Sequence, residues 1–99
     1  MNYNDFRASL AETTTPATLS PALRALWHDG GGNWGAAHDA LQDADDADSA
    51  WVHAYLHRKE GDPSNAGYWY RRAGRPVATG PLGEEWEAIT RALLAAASR

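Results

Sequence analysis

Residues 22–45, moved along the chain by 29 positions, fall on a second stretch with the same punctuation. Ala25 lands on Ala54, His28 on His57, Gly32 on Gly61, Ala37 on Ala66 and Ala44 on Ala73. Apolar residues also fall on apolar ones: Leu26 on Tyr55, Trp27 on Leu56 and Leu41 on Tyr70. Gly32-Asn33 and Gly61-Asp62 each set a glycine before a residue whose side chain caps helices. Each unit therefore reads as helix, tight glycine turn, helix. Ala25 is predicted to face Ala37, and Ala54 to face Ala66. Small residues at a crossing let two helices approach to the short end of the ~8–10 Å range. Neither hairpin buries its apolar face alone, so stacking the two makes the core.

The rest of the chain is punctuated the same way. Twenty of its 99 residues are alanine, the best helix former. Ser20-Pro21, Asn33, Asp48-Ser49 and Asp62-Pro63 read as helix starts, and Gly80-Pro81 opens a last helix with Glu84 and Glu85 in its first turn. Gly74 followed by Pro76 is a stop signal. Six helices are predicted, over 2–12, 21–30, 34–44, 49–60, 63–73 and 82–97. No stretch alternates with period two, so an all-α fold in one domain over 1–99 is expected. Helix 82–97 is expected to cover the second hairpin with Trp86, Ile89 and Leu93, and helix 2–12 the first with Tyr3, Phe6 and Leu10.

Composition removes several classes of function. There is no cysteine, which excludes disulfides, thiolate catalysis and sulfur-based zinc sites and suits a cytoplasmic setting. The longest apolar run, Ala92 to Ala97, is far short of the ~18 residues of a membrane span. Asn2, Tyr3, Asn4 and Asp5 follow Met1, so no secretory leader is expected. A net charge of −4 argues against nucleic acid as a partner. Charge is also uneven. Ala25 to Ala50 holds six acids and no Lys or Arg, whereas Arg58 to Arg75 holds five bases against Glu60 and Asp62. Opposite signs on the two hairpins suit self-association into a homo-oligomer, a charged partner, or the tie between the hairpins themselves.

The small-residue pattern of Ala25, Ala37, Leu41 and Ala44, repeated in Ala54, Ala66, Tyr70 and Ala73, resembles the tetratricopeptide repeat over about 22–76. The period is shorter than that family's 34 residues, and the first unit lacks its closing proline. The wording of Ala50 to Arg58 and of Tyr68 to Gly74 is also similar to a small uncharacterised family of bacterial and fungal proteins, which implies nothing about chemistry.

Two sets of residues are candidates for function. Trp51, Tyr55 and Arg58 follow the i, i+4, i+7 rule and share one helical face. By the tetratricopeptide resemblance that face lines a concave groove, partly open to solvent. Trp, Tyr and Arg are the residues of binding hot spots, and Arg71 and Arg72, with Arg75 nearby, are suited to grip a phosphate or carboxylate. The second set comes from the histidines His28, His38, His53 and His57. His53 and His57 are four apart on one face, a spacing that suits a metal pair, and Glu60 continues that face. His28 is the repeat equivalent of His57 and is expected to approach it on stacking. Equivalent histidines also serve as packing residues at helix seams. No HExxH, nucleophile elbow, phosphate loop or EF-hand pattern is present, and no motif names a cofactor. The leading expectation is a binding module with an aromatic and basic groove for a peptide, protein or small anionic ligand. The alternative is a small metal-dependent protein or enzyme using the metal set His28, His53 and His57.

Overall fold

A computed structural model describes residues 1–97. Its six helices are α1 (Tyr3–Ser9), α2 (Pro21–Gly30), α3 (Trp34–Ala40), α4 (Ala47–Lys59), α5 (Pro63–Ala73) and α6 (Leu82–Ala97), with no strand among the described residues. The caps explain where they start. Ser20, Asn33 and Asp62 each accept a backbone N–H three residues on. At α4 the cap is Asp46 rather than Asp48. Its carboxylate accepts from both the backbone N and the hydroxyl of Ser49, so the helix begins two residues before the expected 49. Helices α1 and α3 stop short of the expected Glu12 and Ala44. Beyond them the chain continues in turns closed by i→i+3 bonds, Leu10 to Arg7 and Glu12 to Ser9 in one case, Leu41 to His38 and Ala44 to Leu41 in the other. Gly32, Gly61 and Gly74 have φ of 85°, 88° and 70°. Only glycine takes this conformation without strain, which is why each hairpin turns and α5 ends there.

Each hairpin closes on its small residues. Ala25 and Ala37 are fully buried in the main core, and Ala54 and Ala66 pack with Tyr70 in a second cluster. Helices α2 and α3 pack on each other, and so do α4 and α5. The covering helices sit differently from expectation. Helix α6 lies across both α2 and α4, and α1 packs on α6. Ile89, Leu93 and Leu94 of α6 are buried, each burial contributing about 1.5–3 kcal/mol. Trp86 is half-buried, and its indole N–H donates to the Leu26 carbonyl at 3.0 Å. A Cβ at Gly30 would stand 2.9 Å from the Trp86 ring, so glycine there leaves room for the indole.

Helix α4 is thus the central helix. Residues 52–57 are all buried, because α2, α3, α5 and α6 each pack on it. Two buried polar groups tie it to its neighbours. The Tyr55 hydroxyl donates to Asp29 Oδ2 at 2.7 Å, and Lys59 Nζ donates to Asp29 Oδ1 at 2.9 Å. Arg58 bonds Glu85 Oε1 at 2.7 Å, and Tyr70 donates to the other oxygen of Glu85. Of the opposite charges seen in the sequence, one pair, Asp29 and Lys59, joins hairpin to hairpin. No helix of the described residues is long and apolar enough to cross a membrane.

Candidate metal centre

The side of α4 away from Asp29 carries His53 and His57, one turn apart. Helix α3 brings His38 against them. One ring nitrogen of each of the three lies within 4.8 Å of the others. The rings of His53 and His57 are parallel within 2°, with centroids 5.7 Å apart, and His38 stands edge-on to both at 5.1 and 5.4 Å. Two tryptophans wall the group. Trp69 of α5 stacks on His53 at 4.1 Å, and Trp34 of α3 stacks on His38 at 5.1 Å. Trp34 is itself fixed by an N–H bond of 2.8 Å to the Leu56 carbonyl of α4, which sets how α3 lies on the site.

The three imidazoles differ in what holds them. His57 Nδ1 is 2.5 Å from Glu60 Oε1. A carboxylate only accepts, so Nδ1 carries the proton toward Glu60, and the Asn65 amide nitrogen lies 3.4 Å from Nε2, a donor that a metal at this nitrogen would displace. His38 Nδ1 is 3.1 Å from the Gln42 side-chain amide, which by turning over presents either its NH2 or its oxygen. His53 has neither kind of partner: Nδ1 is buried, and among the described residues nothing hydrogen-bonds to it. Burial, then the nearby His38, His57 and Arg72, hold the His53 pKa down at about 4. The ring is therefore neutral near pH 7, the form that binds metals. His53 and His57 are 6% and 7% exposed and His38 is half-buried, so the site opens to solvent past His38.

The other expected residues fall elsewhere. His28 is half-buried beside Trp27, ring centroids 5.3 Å apart, and is not in the histidine group. His38 of α3 takes the place expected of it. His28 and His57 hold equivalent places in their units, but His57 meets His38 and Trp34 of the first unit, whereas His28 sits edge-on to Trp27 of its own. Tyr55 is 2% exposed and bonded to Asp29, so it lines the α2–α4 seam rather than an open groove. Arg58 is committed to Glu85 and to the Gly80 carbonyl. Trp51 remains half-buried, with the Arg75 guanidinium 3.8 Å over its ring. Arg71 and Arg72 are exposed on α5, and Arg72 lies over the rings of Trp69 and Tyr68 at 5.0 and 5.9 Å. The residues that spacing overlooked are His38, Trp34 and Trp69. One signal for the first two was present: Trp34, His38 and Gln42 are each four apart and share one face of the 34–44 stretch.

No family model matches the chain, and neither a curated protein nor a solved structure matches it.

Proposed function

We propose that the protein binds a divalent transition-metal ion through His38, His53 and His57. One observation carries the reading: a buried imidazole nitrogen with no partner, on His53, one of three converging histidines. An unsatisfied buried polar atom costs about 1–3 kcal/mol, and a fold keeps one where it has a use. Imidazole donors suit zinc, copper, nickel or iron rather than calcium or magnesium, which take oxygen. Bound nitrogens at the ~2.0–2.1 Å of a zinc bond stand about 3.3 Å apart in a tetrahedron, so the rings draw together modestly from their present spacing. Three protein ligands leave a fourth position for water or a ligand, the pattern of reactive rather than purely structural sites. Glu60 is the outer partner that fixes the tautomer of His57, as carboxylates do behind metal-bound histidines.

Titration of tag-free protein with Zn(II), Cu(II) or Co(II), followed by calorimetry, tests this. One ion per chain is expected, with binding lost in His53→Ala and His38→Ala and kept in His28→Ala. Binding kept in His38→Ala but lost in His28→Ala would return the site to the repeat-equivalent pair. Cu(II) is also expected to quench the fluorescence of Trp34 and Trp69, because both rings stack on ligand imidazoles.

A second reading keeps the interaction module. It is favoured by the groove of about 410 Å³ between the 75–81 connector and α6, with Trp51 under Arg75 at its edge. A peptide, protein or small anionic ligand, the tetratricopeptide resemblance and a cytoplasmic setting belong to that reading. Loss of a binding partner in Trp51→Ala, with metal affinity unchanged, would support it.

A further inference from the structure

The proposed metal site has three neutral ligands and a cation beside it. We infer that its fourth position takes a small oxyanion, a carboxylate or phosphate, held by Arg72. This rests on the metal reading above and adds the class of ligand.

The argument starts from where the cations go. Arg58 is paired with Glu85, Lys59 with Asp29 and Arg91 with Glu87. Arg72 has no carboxylate within 4 Å among the described residues. It is held instead by the faces of Trp69 and Tyr68, an arrangement that fixes the guanidinium plane and leaves its N–H edge free. Trp69 is the ring that stacks on His53 at 4.1 Å, so the guanidinium and the imidazole share one aromatic neighbour. The acids near the site, Glu60 and Asp62, stand on its His57 side and are hydrogen-bonded there. Glu60 is bound to His57 Nδ1, and Asp62 caps α5 through the backbone N–H of Asn65.

A dication on three neutral imidazoles keeps its full charge of two. Glu60 and Asp62 flank the His57 side, each with an oxygen within 4.8 Å of its ring nitrogen, while the His53 side has Arg72, joined to it through Trp69, and Arg72 has no carboxylate partner there. An oxyanion answers both groups: one oxygen meets the metal, and another accepts from the guanidinium fork. A cationic or apolar ligand meets the same charge without compensation. Asn65, whose amide nitrogen lies 3.4 Å from the ring nitrogens of His57, is the further neutral donor at this rim.

The test uses the whole chain loaded with less than one equivalent of Co(II), so that no free ion remains. Inorganic phosphate and acetate are titrated separately while the visible Co(II) spectrum is followed. Saturable spectral change is expected with at least one of them, and the stronger of the two names the oxyanion. Arg72→Gln is expected to weaken that binding about 10-fold or more, with Co(II) affinity within about threefold of the parent. Arg72→Lys should recover part of the loss, because the charge stays and the fork goes. Arg71→Gln removes the same charge from the same helix and is expected to change nothing. Anion affinity equal in Arg72→Gln and the parent, or a spectrum that neither anion alters, overturns the inference while leaving the metal site standing. Failure to bind Co(II) at all overturns both.

Discussion

Helix α4 has a buried polar cluster on each of two sides, and they are built on opposite plans. On the side facing α2, Asp29, Tyr55 and Lys59 form a closed set: each carboxylate oxygen of Asp29 has its own donor. On the side facing α3 and α5, His38, His53 and His57 form an open one, with a buried nitrogen left over and two tryptophans as walls. The first cluster has every group matched and nothing to offer a ligand. The second leaves one buried nitrogen unsatisfied, at a cost in stability. The contrast separates polar groups that hold the hairpins together from those available for chemistry, and it yields four expected outcomes.

The largest effect should come from breaking the closed cluster at its centre. Asp29→Ala leaves the Tyr55 hydroxyl buried without an acceptor and removes the partner of Lys59. A loss of about 3 kcal/mol is expected, read as a lower urea midpoint with unchanged slope. A loss under about 1 kcal/mol would mean that the cluster is incidental to the α2–α4 seam.

Acid should act on the open cluster. The folded pKa of His53 is about 4, below its ordinary 6.5, so the unfolded chain binds more protons between those values. Stability from this source is therefore complete above about pH 6.5 and is lost as the pH falls toward 4, by at most about 3 kcal/mol. The groups facing His53 are His57 on its own helix, His38 on α3 and Arg72 on α5. Metal-free parent and His53→Phe, unfolded in urea at pH 7 and pH 5, isolate the contribution: the gap between them should shift in favour of the variant at pH 5.

His53→Phe also tests the cost of openness directly. A ring of similar shape that asks for no hydrogen bond should leave the metal-free protein at pH 7 unchanged or more stable by about 1 kcal/mol, while metal binding is lost. Marked destabilisation at pH 7 would assign His53 a structural role. The smallest effect is expected of Lys59→Met. The Lys59 side chain is 39% exposed, so its ion pair is screened by solvent, and the loss should stay below about 1 kcal/mol.

The six helices, and the pairing of α2 with α3 and of α4 with α5, were legible in the sequence, although α1, α3 and α4 differ from the expected bounds. These rest on local signals: a capping side chain three residues from the N–H it accepts, a glycine at positive φ, small residues at fixed spacing. It also placed His53 and His57 together, since four residues along a helix put them on one face. It went astray where a face had to be matched to a neighbour. Trp51, Tyr55 and Arg58 share a face, but α4 carries buriable residues on nearly every side, the mark of a central helix, and Tyr55 is turned into the seam. The third histidine was beyond the repeat altogether. The repeat mate of His38 is Gly67, and that of His53 is Arg24, so the site has no counterpart in the other unit. Only tertiary packing decides that α3, fixed by Trp34 on the Leu56 carbonyl, brings His38 rather than His28 to the imidazoles of α4. Spacing along one helix fixes relative direction. The meeting of side chains from different helices depends on how those helices are rotated and offset, which the packing of the whole core sets.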